Sequence, residues 1–423
     1  MKQALGPMPG VEGPATLHGS AETLNRDAII IVVACFICMG LSFAPIFMGT
    51  FPLFLEPVSK DLNWSASTFP QAMLISGLTG ALSGPMVGRL IDTLGVRKVL
   101  IPGILAWAGT VAAMSFLNGS VVMLYVISAL MGPLAASCGP VALAKVVSSW
   151  FDRSRGVALS VVLGGAAAVS TAVLLPVARL LIMDFGWRNS YLAFAALIVL
   201  VGGPIAYLFV KEAPNSKMTM GGMPTPVSAA ADLAPTAAFT SRAFWTVILA
   251  SCLVCASCGA VAKHFLPWSA ERGISSVSAT YALSLFSLAG PFGAVIAGAA
   301  ADRLSHPRTL AVVFAVPLVG FGVMLTSHEW AVVLGLALMG AGFAAVAGLL
   351  PFFTSRYFGL KNASTIFGVS VGLITISLGV GPVVFGVLRD KWGSYMSASP
   401  VEVAALCVAV VLASSLPRYP SRR

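Results

Sequence analysis

Three ionisable side chains of this sequence lie inside long apolar runs, where a charge is costly to bury. Lys145 comes five residues before Trp150, and Lys263 and His264 are neighbours near the end of another apolar run. Ionisable residues in such runs are retained mainly at sites that bind a substrate, an ion or a proton. Lys263 could attract an anion, and His264 could exchange a proton near neutral pH. Each lysine could instead extend its ammonium group to the end of the run, beside water.

Uncharged side chains supply the other candidates for a substrate cavity. Phe47 and Tyr281 are the aromatic residues that we predict to contact a substrate. Aromatic side chains on apolar helices more often pack against lipid or another helix, and that alternative stays open for both. The shortage of charged groups predicts a substrate with appreciable apolar surface. The further uncharged candidates are Phe51, Gln71, Asn118 and Phe286.

The composition indicates which elements must position these residues. Of the 423 residues, 58% are hydrophobic and only 9% are charged, whereas an ordinary soluble domain has about 25% charged residues. Helices and closed barrels are the only structures that span a membrane, and barrel strands show as short alternating segments. The long continuous apolar runs of this chain therefore predict an all-α integral membrane protein.

The apolar runs are long enough to cross a membrane, which takes about 20 residues. Six runs lie on each side of a segment rich in Pro, Gly and small residues. We predict twelve transmembrane helices in two pseudo-symmetric six-helix bundles. The predicted spans are residues 28–56, 66–90, 99–117, 121–149, 156–181, 189–210, 243–267, 276–301, 309–326, 330–354, 363–388 and 398–416.

The distribution of basic residues predicts the orientation. On one side of the predicted membrane, the tails, the linker and the adjoining loops hold 17 Lys and Arg residues, against seven in the opposite loops. By the positive-inside rule, both termini and the linker are cytoplasmic in a multi-pass protein of the cell membrane. Arg179 is expected at the outer surface. The predicted domains are a tail at 1–27, a bundle at 28–210, a linker at 211–242, a bundle at 243–416 and a tail at 417–423.

Internal repetition supports two related halves. The spacing from Gly88 to Asp92 recurs from Gly298 to Asp302, 210 residues later. Duplicated halves are common in transporter folds, and independent coincidences would not share an offset. A second match, at an offset of 206 residues, pairs Pro176 and Asp184 with Pro382 and Asp390.

The stretch from Gly88 to Lys98 resembles the signature loop of the major facilitator superfamily, between helices 2 and 3, and its second copy looks like the degenerate partner between helices 8 and 9. Asp92 ends one helix and Arg97 begins the next, so a carboxylate can pair with a guanidinium and with a helix end. Such a latch favours the outward-open state. The alternative is that these are ordinary charges at helix ends. The predicted gate comprises Gly88, Asp92, Gly95, Arg97, Lys98, Gly298, Asp302 and Arg308.

Within that superfamily, several motifs look like the monocarboxylate and oxalate/formate transporter branch. The animal monocarboxylate carriers place a Lys in helix 1 and an Asp and an Arg in helix 8 at the substrate site. Here the matching helix 8 positions are Gly290 and Ala294, and helix 1 has no Lys. That mode of binding is therefore absent. The motifs are residues 53–56, 62–65, 150–156, 186–188, 264–267 and 273–275.

Other function classes lack the residues they need. Cys252, Cys255 and Cys258 recur every third residue inside one apolar run without a fourth ligand nearby, which is typical of helix packing rather than a metal site. There is no nucleotide-binding loop of the Gly-x-x-x-x-Gly-Lys-Ser/Thr kind, so we predict no cofactor. Basic residues are spread rather than gathered into a patch for nucleic acid. An enzyme would need converging nucleophile, base or metal groups, and we identify no catalytic residue.

The sequence thus predicts a secondary active transporter that moves a small organic anion, a carboxylate, together with a proton. Its predicted partners are that substrate, the proton and the lipid bilayer, without an obligate protein partner. A carrier of a neutral or aromatic compound, such as a vitamin, is the main alternative, because the helix 8 charge pair is missing. A drug/proton antiporter is less favoured, and a sensor or a membrane enzyme on the same scaffold is the alternative from another class.

Overall fold

The computed structural model describes residues 26–151, 158–211, 235–303, 308–326, 328–358 and 363–417. Within these residues every regular element is a helix, which confirms the predicted all-α class. The predicted tails lie almost entirely outside the described residues, and so does most of the predicted linker.

The first set of helices precedes the linker. It consists of α1 to α8 with three π-helical segments, at Ala44–Gly49, Ser160–Gly165 and Ile198–Gly202. Prolines recur at the starts of its shorter helices, where a missing backbone N–H costs nothing. The helices are α1 Arg26–Gly40, α2 Phe51–Asp61, α3 Gln71–Leu94, α4 Val96–Met114, α5 Val121–Cys138, α6 Pro140–Trp150, α7 Ala166–Leu197 and α8 Gly203–Phe209.

The second set of helices follows the linker. Several of its members begin after a serine whose side chain accepts a hydrogen bond from the backbone three residues or two residues on, as at Ser241 and Ser394. Such caps satisfy backbone N–H groups that have no partner inside the helix. The helices are α9 Pro235–Phe239, α10 Arg242–Lys263, α11 Phe265–Ala270, α12 Ser276–Arg303, α13 Thr309–Met324, α14 Glu329–Phe358, α15 Ala363–Trp392 and α16 Tyr395–Ser414.

Eight helices of the described residues are long and apolar enough to cross a membrane, and a ninth, Thr309–Met324, is apolar but shorter. One of the eight stretches, Ser160–Phe209, is 50 residues long. Its course is broken at Gly186, whose φ of 78° is not helical. A residue other than glycine would be strained at this φ, so the glycine permits the chain to turn here.

Left-handed backbone positions occur in matching places in the two sets. Asn63 and Gly273 both have positive φ and are 210 residues apart, while Gly186 and Gly393 both have positive φ and are 207 residues apart. These offsets equal those of the sequence repeat, or differ from them by one residue. The chain therefore turns at corresponding points before α3 and α12, and before the helices that follow Gly186 and Gly393.

Small residues allow the closest helix crossings. α3 packs on α5 in the first set, and α12 packs on α14 in the second. A Cβ added to Gly293 would lie 2.2 Å from the carbonyl oxygen of Ala341, and one added to Gly340 would lie 2.0 Å from that of Phe286. Only glycine admits backbones this near to each other. Between the sets, α3 packs on α15 and α7 packs on α12.

Candidate functional site

A lysine of the second set reaches a broken helix of the first. Lys263, the last residue of α10, donates from Nζ to the backbone oxygen of Met48, in the π-helical segment between α1 and α2. The residue four positions after Met48 is Pro52, which has no N–H to give to that oxygen. The carbonyl is thus exposed by the proline and is bound by the ammonium group. This contact joins the two sets of helices.

Aromatic rings lie on either side of Met48, along the stretch from the end of α1 to the start of α2, which together correspond to predicted helix 1. Phe47 packs against Phe43 and Phe51, with ring centroids 5.5 Å and 6.0 Å apart. Phe51 in turn stacks on Phe69 at 4.7 Å. Phe47, Phe51 and Phe69 are all buried. The residue that binds Lys263 is thus the sequence neighbour of a buried aromatic cluster, and we call Lys263, the Met48 carbonyl, Phe47 and Phe51 the helix 1 site.

His264 points away from that site into the second set. The fully buried ring lies 3.0 Å from the hydroxyl of Tyr395 through Nδ1 and 2.9 Å from the carbonyl oxygen of Pro382 through Nε2. Because a carbonyl only accepts, Nε2 carries the proton and donates it. In the neutral ring, Nδ1 then accepts from the Tyr395 hydroxyl. Both nitrogens are engaged, so His264 fastens α10 to α15 and α16.

The two sets meet at one end of the molecule. Asp390, near the end of α15, accepts hydrogen bonds from the backbone N–H groups of Ala66 and Ser67, at 3.1 Å and 3.2 Å. Arg179 donates to the hydroxyl of Ser276 at 3.3 Å across the α7 and α12 contact. We call this region, defined by Ala66, Ser67, Arg179, Ser276 and Asp390, the closed end. Arg179 is half-buried in it rather than fully at the surface.

Lys145 lies far along the chain from the helix 1 site and binds a different element. Its Nζ donates to the carbonyl oxygen of Ile91 at 3.1 Å, in the last turn of α3. Lys145 is therefore brought together with the predicted gate and not with Lys263. The half-buried ammonium group stabilises the carbonyl end of α3, where positive charge is favourable.

The predicted gate is described in part. Gly95 joins α3 to α4 with a φ of 84°, and Arg97 donates to the carbonyl of Tyr207 while its guanidinium lies 5.5 Å from the Tyr207 ring centroid. Lys98 and Arg308 are exposed. The side chains of Asp92 and Asp302 lie outside the described part of the structure. Among the described residues, none lies within 4 Å of a Cβ added at Gly88 or Gly298.

The remaining candidates are dispersed. Tyr281 is 58% exposed and lies about one turn of α12 before Ser284, which is buried and donates to the carbonyl of Ala172 in α7. Among the described residues, Tyr281 has no hydrogen bond or ring contact with the helix 1 site. Gln71 accepts from the hydroxyl of Tyr125, Asn118 accepts from the N–H of Ser120, and Phe286 packs near Phe343.

The geometry also bears on the charges that are missing from α12, which is the predicted transmembrane helix 8. Gly290 faces α14 at close range, since a Cβ added there would lie 3.1 Å from the Cβ of Ala344. Any side chain at this position would press on Ala344, which would have to shift by a few tenths of an ångström. At this position α12 and α14 are held together by close packing of small residues rather than by charged side chains.

Sequence reasoning missed one buried carboxyl. Glu402, in α16, is 5% exposed, and its carboxyl group faces the hydroxyl group of Ser257 in α10. The signal was available, because Glu402 stands inside the predicted span 398–416. An acidic residue within a span is a candidate functional group by the same reasoning that applied to Lys263.

Comparison with solved structures defines the class of the fold. Two crystal structures of a bacterial homologue of the human lysosomal transporter Spinster, both inward-facing, superpose on this chain with TM-scores of 0.71 (unoccupied) and 0.67 (occupied). Identity is 15%, and the match covers 92% and 93% of this chain and 96% of each of those chains. The fold is that of a membrane transporter.

The family follows from the sequence. The family model of the Major Facilitator Superfamily matches residues 31–382, and the chain belongs to this superfamily, whose members are transporters rather than enzymes. Human monocarboxylate transporter 2 is 25% identical over 412 residues, covering 89% of this chain and 83% of that protein. An MFS-type transporter of Gibberella moniliformis is 24% identical over 376 residues, covering 87% and 85%. The resemblance to the monocarboxylate branch is thereby confirmed at low identity.

Proposed function

We propose that this protein is a secondary active transporter that moves a small organic anion, a carboxylate, together with a proton. The observation that carries the proposal is the contact between the Lys263 ammonium group and the carbonyl of Met48. It places a cation on the backbone of the residue next to Phe47, at the junction of two sets of helices that must move relative to each other for transport. The resemblance to monocarboxylate transporters supports the same substrate class.

The chemistry of Lys263 suits an exchangeable anion. A carbonyl oxygen is a neutral acceptor, whereas a carboxylate forms a charge-assisted hydrogen bond that is roughly twice as strong. A carboxylate that reaches the helix 1 site would therefore displace Met48 from Lys263. Binding would release α10 from the π-helical segment of the first set, so substrate occupancy and the contact between the sets are linked.

Alternating access follows from the arrangement of the two sets. The contacts of Asp390 and Arg179 hold them together at the closed end, and Lys263 joins them at the helix 1 site. With the tails and the linker in the cytoplasm, the closed end is extracellular and the structure is an inward-facing state. Transport requires these contacts to break while the predicted gate around Asp92 and Arg97 forms at the other end.

The proposal includes twelve spans in two bundles, at 28–210 and 243–416, in the cell membrane. The stretch of 50 residues from Ser160 to Phe209 would be about 75 Å long as one helix at 1.5 Å per residue. The hydrocarbon core is about 30 Å thick, so two crossings joined at Gly186 account for this length. The other seven long apolar stretches supply one crossing each. The shorter apolar helix Thr309–Met324, the helical region 26–61 and α3 at 71–94 supply the remaining three of the twelve.

Uptake into liposomes tests the function. Purified protein is presented with radiolabelled aliphatic and aromatic carboxylates, with and without an inward proton gradient. We expect gradient-stimulated uptake of a carboxylate by the native protein and its loss in Lys263→Met. Lys391→Met, which removes an exposed charge near the end of α15, is the matched control and should transport normally. Equal uptake by both variants would contradict a role for Lys263.

A carrier of a neutral aromatic compound is the second candidate. It is favoured by the buried aromatic cluster of Phe47, Phe51 and Phe69, in which Phe47 is the sequence neighbour of Met48. In that case no carboxylate would be taken up under any gradient, while a neutral aromatic compound would be. Lys263→Met would then leave uptake nearly unchanged, because the lysine would serve only to hold Met48.

A further inference from the structure

Two pairs of polar side chains line the contact between α10 and α16. His264 lies opposite Tyr395, and Ser257 lies opposite Glu402. Seven residues separate the two pairs on each helix, and the order is reversed between the helices, so α10 and α16 run antiparallel with one face of each turned toward the other. Seven residues are about two helical turns, or about 10 Å. We call these four residues the polar seam.

Glu402 is the buried acidic group of this seam. It is 5% exposed and Ser257 is 2% exposed. Among the described residues the carboxyl group has no ion-pair partner, and the polar group that faces it is the neutral hydroxyl of Ser257. Burial of an uncompensated carboxylate in a membrane protein costs free energy, and such residues commonly mark ion or proton pathways.

The groups around Glu402 supply little other charge. From α10, Cys258 is the titratable residue whose charge would interact with it. α11 and α13 carry no ionisable side chains. On α15 the charged residues are 389–391, at the end of the helix beside Tyr395, where the Arg389 guanidinium lies 5.6 Å from the Tyr395 ring centroid. They are thus about two turns of α16 from Glu402.

The Ser257 hydroxyl suits a carboxyl group that gains and loses a proton. It can donate to the ionised carboxylate, and after protonation it can accept from the carboxylic acid. The hydroxyl can therefore serve the carboxyl group in both states without a change of partner. A structural hydrogen bond between these helices would need only one state, which any neutral polar residue provides.

We propose that Glu402 is a proton-binding site and that proton uptake there drives the transport cycle. This inference rests on the proposed function, and it adds the residue that binds the coupled proton. α10 carries both Ser257 of this site and Lys263 of the helix 1 site, so a change in the α10 and α16 contact moves the residue that binds the anion. The proton adds to the carboxylate in one state of the cycle and leaves it in the other.

Infrared difference spectroscopy tests proton binding without any substrate. When the pH of the purified protein is stepped downward, we expect a carboxylic-acid C=O band that is lost in Glu402→Gln and shifted in Ser257→Ala. Glutamine keeps the shape and a hydrogen bond to Ser257, so the variant should fold. Glu329→Gln, at an exposed position, is the control and should keep the band. The same band in the native protein and in Glu402→Gln would overturn the proposal.

A transport assay then tests coupling. In Glu402→Gln we expect exchange of labelled for unlabelled substrate across the membrane to persist, while accumulation driven by a proton gradient is lost. Accumulation equal to that of the native protein, or loss of both activities, would overturn the coupling role. If the native protein itself shows no proton-driven uptake, the proposed function fails instead, and the infrared result still decides whether Glu402 binds a proton.

Discussion

The individual residues that matter here are distinguished by their partners rather than by their types. Lys263 and His264 are neighbours in sequence, yet the lysine binds a carbonyl of the first set and the histidine binds α15 and α16. A second proton on His264 would require the Tyr395 hydroxyl to turn and accept. The ring is thus best suited to hold three helices together, whereas Lys263 has an acceptor that an anion can replace.

Replacement of His264 by alanine should destabilise the protein. The Tyr395 hydroxyl and the Pro382 carbonyl would lose their partner in a fully buried site, at about 1–3 kcal/mol for each unsatisfied group. Thermal unfolding in detergent measures the effect. His328→Ala removes an exposed ring and should leave the unfolding temperature nearly unchanged. Equal unfolding temperatures for the two variants would contradict the structural role of His264.

At the scale of elements, prolines and glycines determine how the helices bend and approach each other. Pro52 removes the N–H that would bind Met48, and so turns a helix carbonyl into an acceptor for another helix. Gly340 and Gly293 let α12 and α14 come into backbone contact. The first feature exposes a backbone acceptor, and the second brings α12 close enough to α14 that Gly290 is crowded by Ala344.

Gly340→Ala should weaken the α12 and α14 crossing. The new Cβ would lie 2.0 Å from the carbonyl oxygen of Phe286, and overpacking of this kind costs about 1–3 kcal/mol. Gly322→Ala is the matched control, because nothing lies within 4 Å of a Cβ at that helical position. Alanine there gains about 1 kcal/mol of helix propensity. Unfolding temperatures should therefore move in opposite directions, and a shift of the same sign would contradict the close crossing.

At the scale of the whole molecule, the closed end joins the two sets of helices. Asp390 binds Ala66 and Ser67 from across the junction of the two sets, and its side chain is 27% exposed. The corresponding residue of the first set, Asp184, is exposed. The two halves are thus repeats in sequence, but they differ in how their acidic residues contact the opposite half.

Asp390→Asn should favour opening of the closed end. Loss of the negative charge weakens two hydrogen bonds to backbone N–H groups, and a change of about 1 kcal/mol shifts a two-state equilibrium about fivefold. A cysteine introduced at Ser67 in a cysteine-free background reports opening through its rate of reaction with a membrane-impermeant maleimide. We expect faster labelling with Asp390→Asn and no change with Asp184→Asn. Equal rates in both would show that Asp390 does not hold the closed end.

Much of the fold was predictable because it depends on local properties. Hydropathy places the apolar helices, and the described helices coincide with the predicted spans to within a few residues at most boundaries. Positive φ at Asn63, Gly186, Gly273 and Gly393 repeats with offsets close to those of the sequence motifs. Each of these features is encoded by a short stretch of residues, so the stretch alone suffices to identify it.

The candidate site was predictable only as a set of residue types. The sequence identifies Lys263, Lys145 and His264 as ionisable groups in apolar runs, and Glu402 satisfies the same criterion. Tertiary structure alone decides that Lys263 meets Met48, 215 residues away, that His264 meets Tyr395, 131 residues away, and that Lys145 belongs with α3. The reason is that an apolar helix can turn almost any face inward, and the packing of its neighbours selects which face does so.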